Sequence, residues 1–306
     1  MRHATKVAAV VAAAALGLAG CGSSDTPATT PSAGSTGGAP AADALKVGMA
    51  YDVGGRGDQS FNDAAAKGLD QAKSELGVSG QEAAATNGEP ESAREERLQQ
   101  LIDAGYTTIV AVGFAYAPSV AKVAKDNPDV KFGLVDSTDA KGPNIENITF
   151  AEQEGSFLVG AAAALKTKTN IIGFIGGVET PLIKKFEVGY IAGAKAVKPD
   201  IEIKSKYLTQ PPDYSGFSSV DKGKAAAEGM YQQGADIVYH AAGGSGGGVF
   251  NAAKAAGKLA IGVDSDQALT ADEGVRGVIL TSMIKRVDVG VFDFIKSVKD
   301  NTFTAG

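Results

Sequence analysis

Gly133-Leu134-Val135-Asp136-Ser137 recurs, one residue shorter, as Gly262-Val263-Asp264-Ser265. In both places an apolar run ends on an aspartate. Working outward from each copy, short β-branched runs alternate with helical patterns. Strands are predicted at 46–51, 108–112, 130–135 and 145–150, then at 170–175, 201–208, 237–240, 259–263 and 277–281. Helices are predicted at 62–76, 91–104, 118–127, 155–166, 181–197, 221–233 and 249–256. Nearly continuous apolar strands separated by helices point to parallel sheets covered on both faces, an α/β fold. Ligands of open α/β sheets lie at the carboxyl ends of the strands. Two such halves facing each other would put Asp136 and Asp264 on opposite walls of one cleft.

The other strand ends carry polar and aromatic residues. The first strand runs into Asp52-Val-Gly-Gly-Arg-Gly-Asp58-Gln-Ser60-Phe61-Asn62. Its glycines allow a sharp turn and close approach to a ligand, and Ser60 or Asn62 can cap the helix that follows. Phe61 is either a staple onto that helix or a stacking platform. Gly113-Phe114 ends another strand, and Phe186-Glu-Val-Gly-Tyr190 lies in a helix after Ile175-Gly-Gly177. Tyr239-His240-Ala-Ala-Gly243-Gly-Ser-Gly-Gly-Gly248 lacks the Gly-Lys-Ser/Thr ending of a P-loop and the spacing of a dinucleotide fingerprint. It is read as a close backbone approach to an uncharged ligand. Asp264 and Asp266 lack the dense oxygen cage of a calcium site, so Asp264 is read as an acceptor for sugar hydroxyls. Lys285 is either a surface charge or a member of the site.

Composition narrows the chemistry further. The formal net charge is −6 and no Lys/Arg stripe stands out, which argues against nucleic acid as a partner. Cys21 is the only cysteine, and His240 is the only histidine outside the first twenty residues. Disulfides, a histidine metal site and a Ser-His-Asp triad are therefore not expected, and neither is a cofactor or a catalytic centre. Arg2, His3 and Lys6 precede an apolar run over 7–19 that ends in Leu18-Ala-Gly-Cys21. The run is shorter than the roughly 18 residues of a membrane-spanning helix and suits a signal peptide. Its end resembles a bacterial lipobox, which implies lipid on Cys21, residues 1–20 removed, and a location on the extracytoplasmic face of the cell membrane. Residues 21–44 are rich in Ser, Thr, Pro, Gly and Ala and are read as a flexible tether. About 260 residues remain, enough for two lobes with real cores.

Several motifs occur in a set order: Asp58-Gln-Ser-Phe-Asn62, Gly155-Ser-Phe-Leu-Val-Gly160, Gly173-Phe-Ile-Gly-Gly177, Phe186-Glu-Val-Gly-Tyr190, Gly234-Ala-Asp236, Ile261-Gly-Val-Asp-Ser-Asp-Gln267 and Thr281-Ser-Met-Ile-Lys-Arg-Val-Asp288. Together they resemble the basic membrane protein family of bacterial lipoproteins, typified by PnrA-type purine nucleoside receptors. The resemblance implies the type I periplasmic-binding-protein fold, with two Rossmann-like lobes joined by a hinge. Residues 45–151 and 283–306 would form the N-terminal lobe and 152–282 the C-terminal lobe. It also implies a monomer that binds a nucleoside and serves the permease and ATPase subunits of an ABC importer. The purine would lie between Phe61 and Phe186, with polar contacts from Asp52, Asn62 and Asp136. Ribose contacts would come from the Gly243 loop, Asp264 and Lys285, and Gly113 completes the expected site. The family continues past the point where this chain stops, so a truncation at Gly306 or a missing last crossover is expected. Three rivals remain: a pentose or hexose receptor of the same fold, a nucleoside hydrolase, and a surface adhesin.

Overall fold

The structure, a computed structural model, describes residues 44–306. The predicted signal, most of the tether and Cys21 lie outside the described residues. The first lobe contains β1 (Lys46–Tyr51), α1 (Phe61–Leu76), β2 (Ser79–Ala84), α2 (Glu91–Asp103), β3 (Thr108–Val112), α3 (Ala117–Asp126), β4 (Lys131–Val135) and β5 (Ile145–Ile148). The second contains α4 (Glu152–Lys166), β6 (Ile171–Val178), α5 (Pro181–Val197), β7 (Glu202–Thr209), α6 (Val220–Gln232), β8 (Ile237–Ala241), α7 (Gly246–Ala256), β9 (Leu259–Asp264), α8 (Gln267–Thr270) and β10 (Ile279–Ile284). The chain then returns to the first lobe through α9 (Val287–Lys299).

Both sheets are parallel, ordered β2-β1-β3-β4-β5 and β10-β9-β8-β6-β7. Counted from its own first strand, the second repeats the order of the first. Asp136 and Asp264 therefore follow or end the same strand, the fourth, in each lobe. Strand residues alternate between two core layers because successive side chains point to opposite faces. In β1, Val47, Met49 and Tyr51 join Ala65 and Leu69 of α1 and Phe294 of α9. Ala50 faces the other way, toward Leu98 of α2 and Val120 of α3. The second sheet is covered in the same manner on both faces. No helix among the described residues is long and apolar enough to cross a membrane.

Several elements depart from the sequence expectation. Strand β2, Ser-Gly-Gln-Glu-Ala-Ala, contains no β-branched residue, so nothing in it signals a strand. Parallel pairing with β1, from Lys46 opposite Ser79 to Tyr51 opposite Ala84, makes it one. Helix α9 has the valines and phenylalanines of a strand. It is helical because Val287, Val291, Phe294 and Ile295 share one face buried in the first lobe's core. The strand expected at 277–281 begins later: Glu273–Val278 form a 3-10 turn, and β10 carries on to Ile284. The chain accordingly passes between lobes at Lys285 and Arg286, not at 282–283.

Candidate functional site

The loop after β1 is held by its own side chains. The Asp58 carboxylate accepts the backbone N–H groups of Ser60 (2.9 Å), Asn62 (2.8 Å) and Asp63 (3.1 Å). Asp58 is thus the cap of α1, a role expected of Ser60 or Asn62; a carboxylate suits the positive helix N-terminus. Burial pushes the Asp58 carboxyl upward, and those N–H groups oppose the shift. Asn62 clasps the loop: its Oδ1 accepts the Asp52 N–H at 3.0 Å and its Nδ2 donates to Asp58 at 3.1 Å. Asp52 is buried, and its Oδ1 accepts the Val53 N–H at 2.8 Å. Burial raises its carboxyl to about 6, against the pull of the Val53 N–H and Arg94. Gly113 makes room for it, since its φ is +106° and a Cβ there would collide with the Asp52 carboxylate.

The two strand-end aspartates share a backbone conformation that is rare outside glycine. Asp136 has φ +70° and Asp264 φ +66°. Such strain persists where the surroundings over-determine it, commonly at functional sites. Their partners differ. Asp264 Oδ2 accepts from Ser60 Oγ at 2.5 Å, and burial raises its carboxyl to about 6 despite Lys285 and that hydrogen bond. Asp136 Oδ2 accepts from Lys285 Nζ at 2.6 Å, while its Oδ1 is buried without a hydrogen-bond partner among the described residues.

Lys285 is not a surface charge. Its side chain is 2% exposed, and Glu152 Oε1 lies 3.5 Å from its ammonium. Burial by itself would lower the Lys285 pKa, but Asp136, Asp264 and Glu152 outweigh it and raise the value. The ammonium also stands 5.0 Å from the centre of the Phe61 ring, 5.1 Å from Phe150 and 5.5 Å from Phe186, within cation–π range.

Asp52, Phe61, Asn62, Gly113, Asp136, Phe186, Gly243, Asp264 and Lys285 all line one cleft between the lobes. It encloses about 550 Å³ of empty space when its open mouth is included. Phe61 begins α1, rests against the first lobe's core and borders the cleft. Phe186 is 3% exposed and belongs to the core of the second lobe as well as to the cleft wall. Phe114, Leu182 and Phe217 line the same space and were absent from the expected set. Phe114 adjoins Gly113, a usable signal; Phe217 ends a short 3-10 turn, Ser215–Phe217, with no motif to mark it. Glu152 was also missed, although an acidic residue opening a helix at the lobe crossover is a visible cue. Asp266 caps α8 by accepting the Ala268 N–H at 3.2 Å.

Residues 45–306 match the family described as ABC transporter substrate-binding protein PnrA-like. The chain is 37% identical over 278 residues to the CD4+ T-cell-stimulating antigen of Listeria monocytogenes, covering 85% of this chain and 75% of that protein. It is 37% identical over 315 residues to the ABC transporter nucleoside-binding protein BmpA of Lactococcus lactis, covering 98% of this chain and 86% of that one. Among solved structures, an ABC transporter solute-binding protein from Aeropyrum pernix K1 aligns with a TM-score of 0.76 at 33% identity, covering 86% of this chain and 72% of that chain. A Caulobacter myo-inositol binding protein, at 16% identity and a TM-score of 0.63, shares the fold alone; 86% of this chain and 89% of that one align. Two parallel-sheet lobes of identical strand order, meeting over a cleft at their strand ends, are the type I periplasmic-binding-protein fold, and the chain belongs to the Bmp, or PnrA-like, family of ABC transporter substrate-binding proteins.

Proposed function

We propose that the protein captures a purine nucleoside between its lobes and delivers it to an ABC importer while tethered to the outer face of the cell membrane by lipid on Cys21. The observation that carries this reading is the pair Phe61 and Phe186, one from each lobe, bordering a cleft that also holds the carboxylates of Asp52, Asp136 and Asp264. A purine has two apolar faces and a polar rim, and stacking on an aromatic ring contributes about 1–3 kcal/mol per base. Asp264 accepts Ser60 on Oδ2 and keeps lone pairs on Oδ1 for a ribose hydroxyl. The similarity to the nucleoside-binding protein of Lactococcus lactis supports a nucleoside as the ligand class. The cleft binds and releases its ligand unchanged; the buried Lys285–Asp136 ion pair orients it.

The test is to denature purified protein, identify what is released, and titrate the refolded or apo protein with guanosine, inosine, adenosine, purine base and ribose. Ribonucleosides are expected to bind far more tightly than base or ribose. Equally tight binding of ribose would make the protein a sugar receptor, and free base appearing from inosine would make it a hydrolase. Absence of thermal stabilisation by any of them would leave an adhesin. Cys21→Ser is expected to shift the protein from the membrane fraction to the medium or to an unprocessed form.

A further inference from the structure

We propose that Gln59, Ser60 and Gln267, none of which lines the cleft, form a latch between the lobes that sets how long a bound ligand stays. The residence time is that of the ligand proposed above, whereas the latch is a property of the protein alone.

Three hydrogen bonds cross between the lobes on one flank. Ser60 Oγ donates to Asp264 Oδ2 at 2.5 Å, Gln267 Nε2 donates to the Gln59 carbonyl at 2.9 Å, and Gln59 Nε2 donates to Asp272 Oδ1 at 3.4 Å. Each lobe prepares its half. In the first, Asp58 caps α1, which frees the fully buried Ser60 hydroxyl to reach across. Gln59 is held at φ +54°, a conformation costly for a residue with a side chain. In the second, Gln267 is fixed from both sides. Its Oε1 accepts the Val263 N–H at 2.8 Å, so its amide nitrogen must be the atom that faces the Gln59 carbonyl. His240 Nε2, 3.0 Å from the same oxygen, must then be the donor, which assigns the proton of the buried neutral imidazole to Nε2. A donor oriented in this way in lobe two and a strained acceptor in lobe one meet only when the lobes are together. Opening them breaks all three bonds and exposes the buried Ser60–Asp264 pair to water. The latch also shares Asp264 with the cleft, so a ligand hydroxyl on one oxygen and Ser60 on the other would act together.

The experiment uses Ser60→Ala and Gln267→Glu. Glutamate is isosteric, keeps an oxygen toward Val263 and His240, and replaces only the nitrogen that faces Gln59. Stopped-flow release of inosine is expected to speed up about tenfold or more in each variant, with association changed less than about threefold, because contacts made after encounter act on dissociation. Release accelerated by less than about threefold in both variants overturns the latch. If Gln267→Glu does not fold, Ser60→Ala, which loses a single hydroxyl, decides alone. If wild type binds no nucleoside, the proposed function fails and the latch is judged without ligand. Spin labels are then placed at Glu75→Cys and Lys254→Cys in a Cys21→Ser background, one on each lobe. A shift of the variants toward longer separations supports the latch, and distributions identical to wild type overturn it.

Discussion

The two lobes have one strand order and leave their first strand in different ways. In the first lobe, Asp52–Ser60 make a long glycine-containing loop fastened by Asp58 and Asn62. In the second, Glu179 and Thr180 suffice, and Thr180 Oγ caps α5 by accepting the Ile183 N–H at 3.3 Å. The long loop carries polar groups into the cleft and leaves Phe61 at the very start of its helix. The short turn starts α5 early, so its ring, Phe186, comes from the second turn and is rooted in the lobe's core. Two rings on opposite walls are thus reached by different local routes, one through a long polar loop fastened by its own side chains, the other through a short turn into an apolar core. At the fourth strand the order reverses: backbone conformation is matched, and the partners of Asp136 and Asp264 differ.

The largest expected effect tests that last contrast. Lys285→Met removes the cation from Asp136 and Glu152 inside the protein, and breaking a buried pair costs about 3–5 kcal/mol. Urea denaturation should show this, together with loss of nucleoside binding by calorimetry. A loss under about 1 kcal/mol, the range of an exposed pair, would mean Asp136 does not depend on its partner.

The two rings come next. Phe186→Ala should cost about 3 kcal/mol of stability or more, as for other core phenylalanines, and Phe61→Ala clearly less because its ring is only half buried. Both should weaken nucleoside binding by about 1–3 kcal/mol. Equal melting temperatures for the two variants would break the contrast between the lobes.

Asp264→Ala is expected to weaken ribonucleoside binding about tenfold or more, since charge-assisted hydrogen bonds contribute roughly 1.5–3 kcal/mol. The comparison with a 2′,3′-dideoxynucleoside on wild type is decisive. Equal affinity would mean that Asp264 does not read the sugar.

The smallest effect is a pH dependence. Burial raises Asp264 from 3.8 to about 6, so the folded ligand-free protein holds this proton more tightly than the unfolded chain. The stabilisation from that proton is complete below about pH 4 and is lost as pH rises through about 6. Against Asp264→Asn, wild type should therefore lose up to about 1.4 kcal/mol per pH unit between pH 5 and 6, with a flat difference above pH 7. Nucleoside affinity should run the other way and fall below pH 6, where the proton competes for the carboxylate. Parallel stability profiles for the two proteins would show that Asp264 is solvated.

Local pattern was enough for much of this. Apolar strands alternating with helices, and one strand-end motif occurring twice, imply two parallel-sheet lobes, because side-chain periodicity and strand burial are encoded over a few neighbouring residues. The nine residues that the strand-end pattern and the family resemblance together singled out line one cleft, since strand ends of this topology converge. Folding decided the features that depend on distant partners. Edge strand β2 exists through its pairing with β1, and α9 through the face it buries on α1. Asp58 rather than Ser60 caps α1, and Ser60 meets Asp264 from 204 positions away in the chain. Lys285 looks like any surface lysine until Asp136, Glu152 and three aromatic rings close around it. Burial and ion pairing are set by what arrives from elsewhere in the chain, and no local window of sequence contains that information.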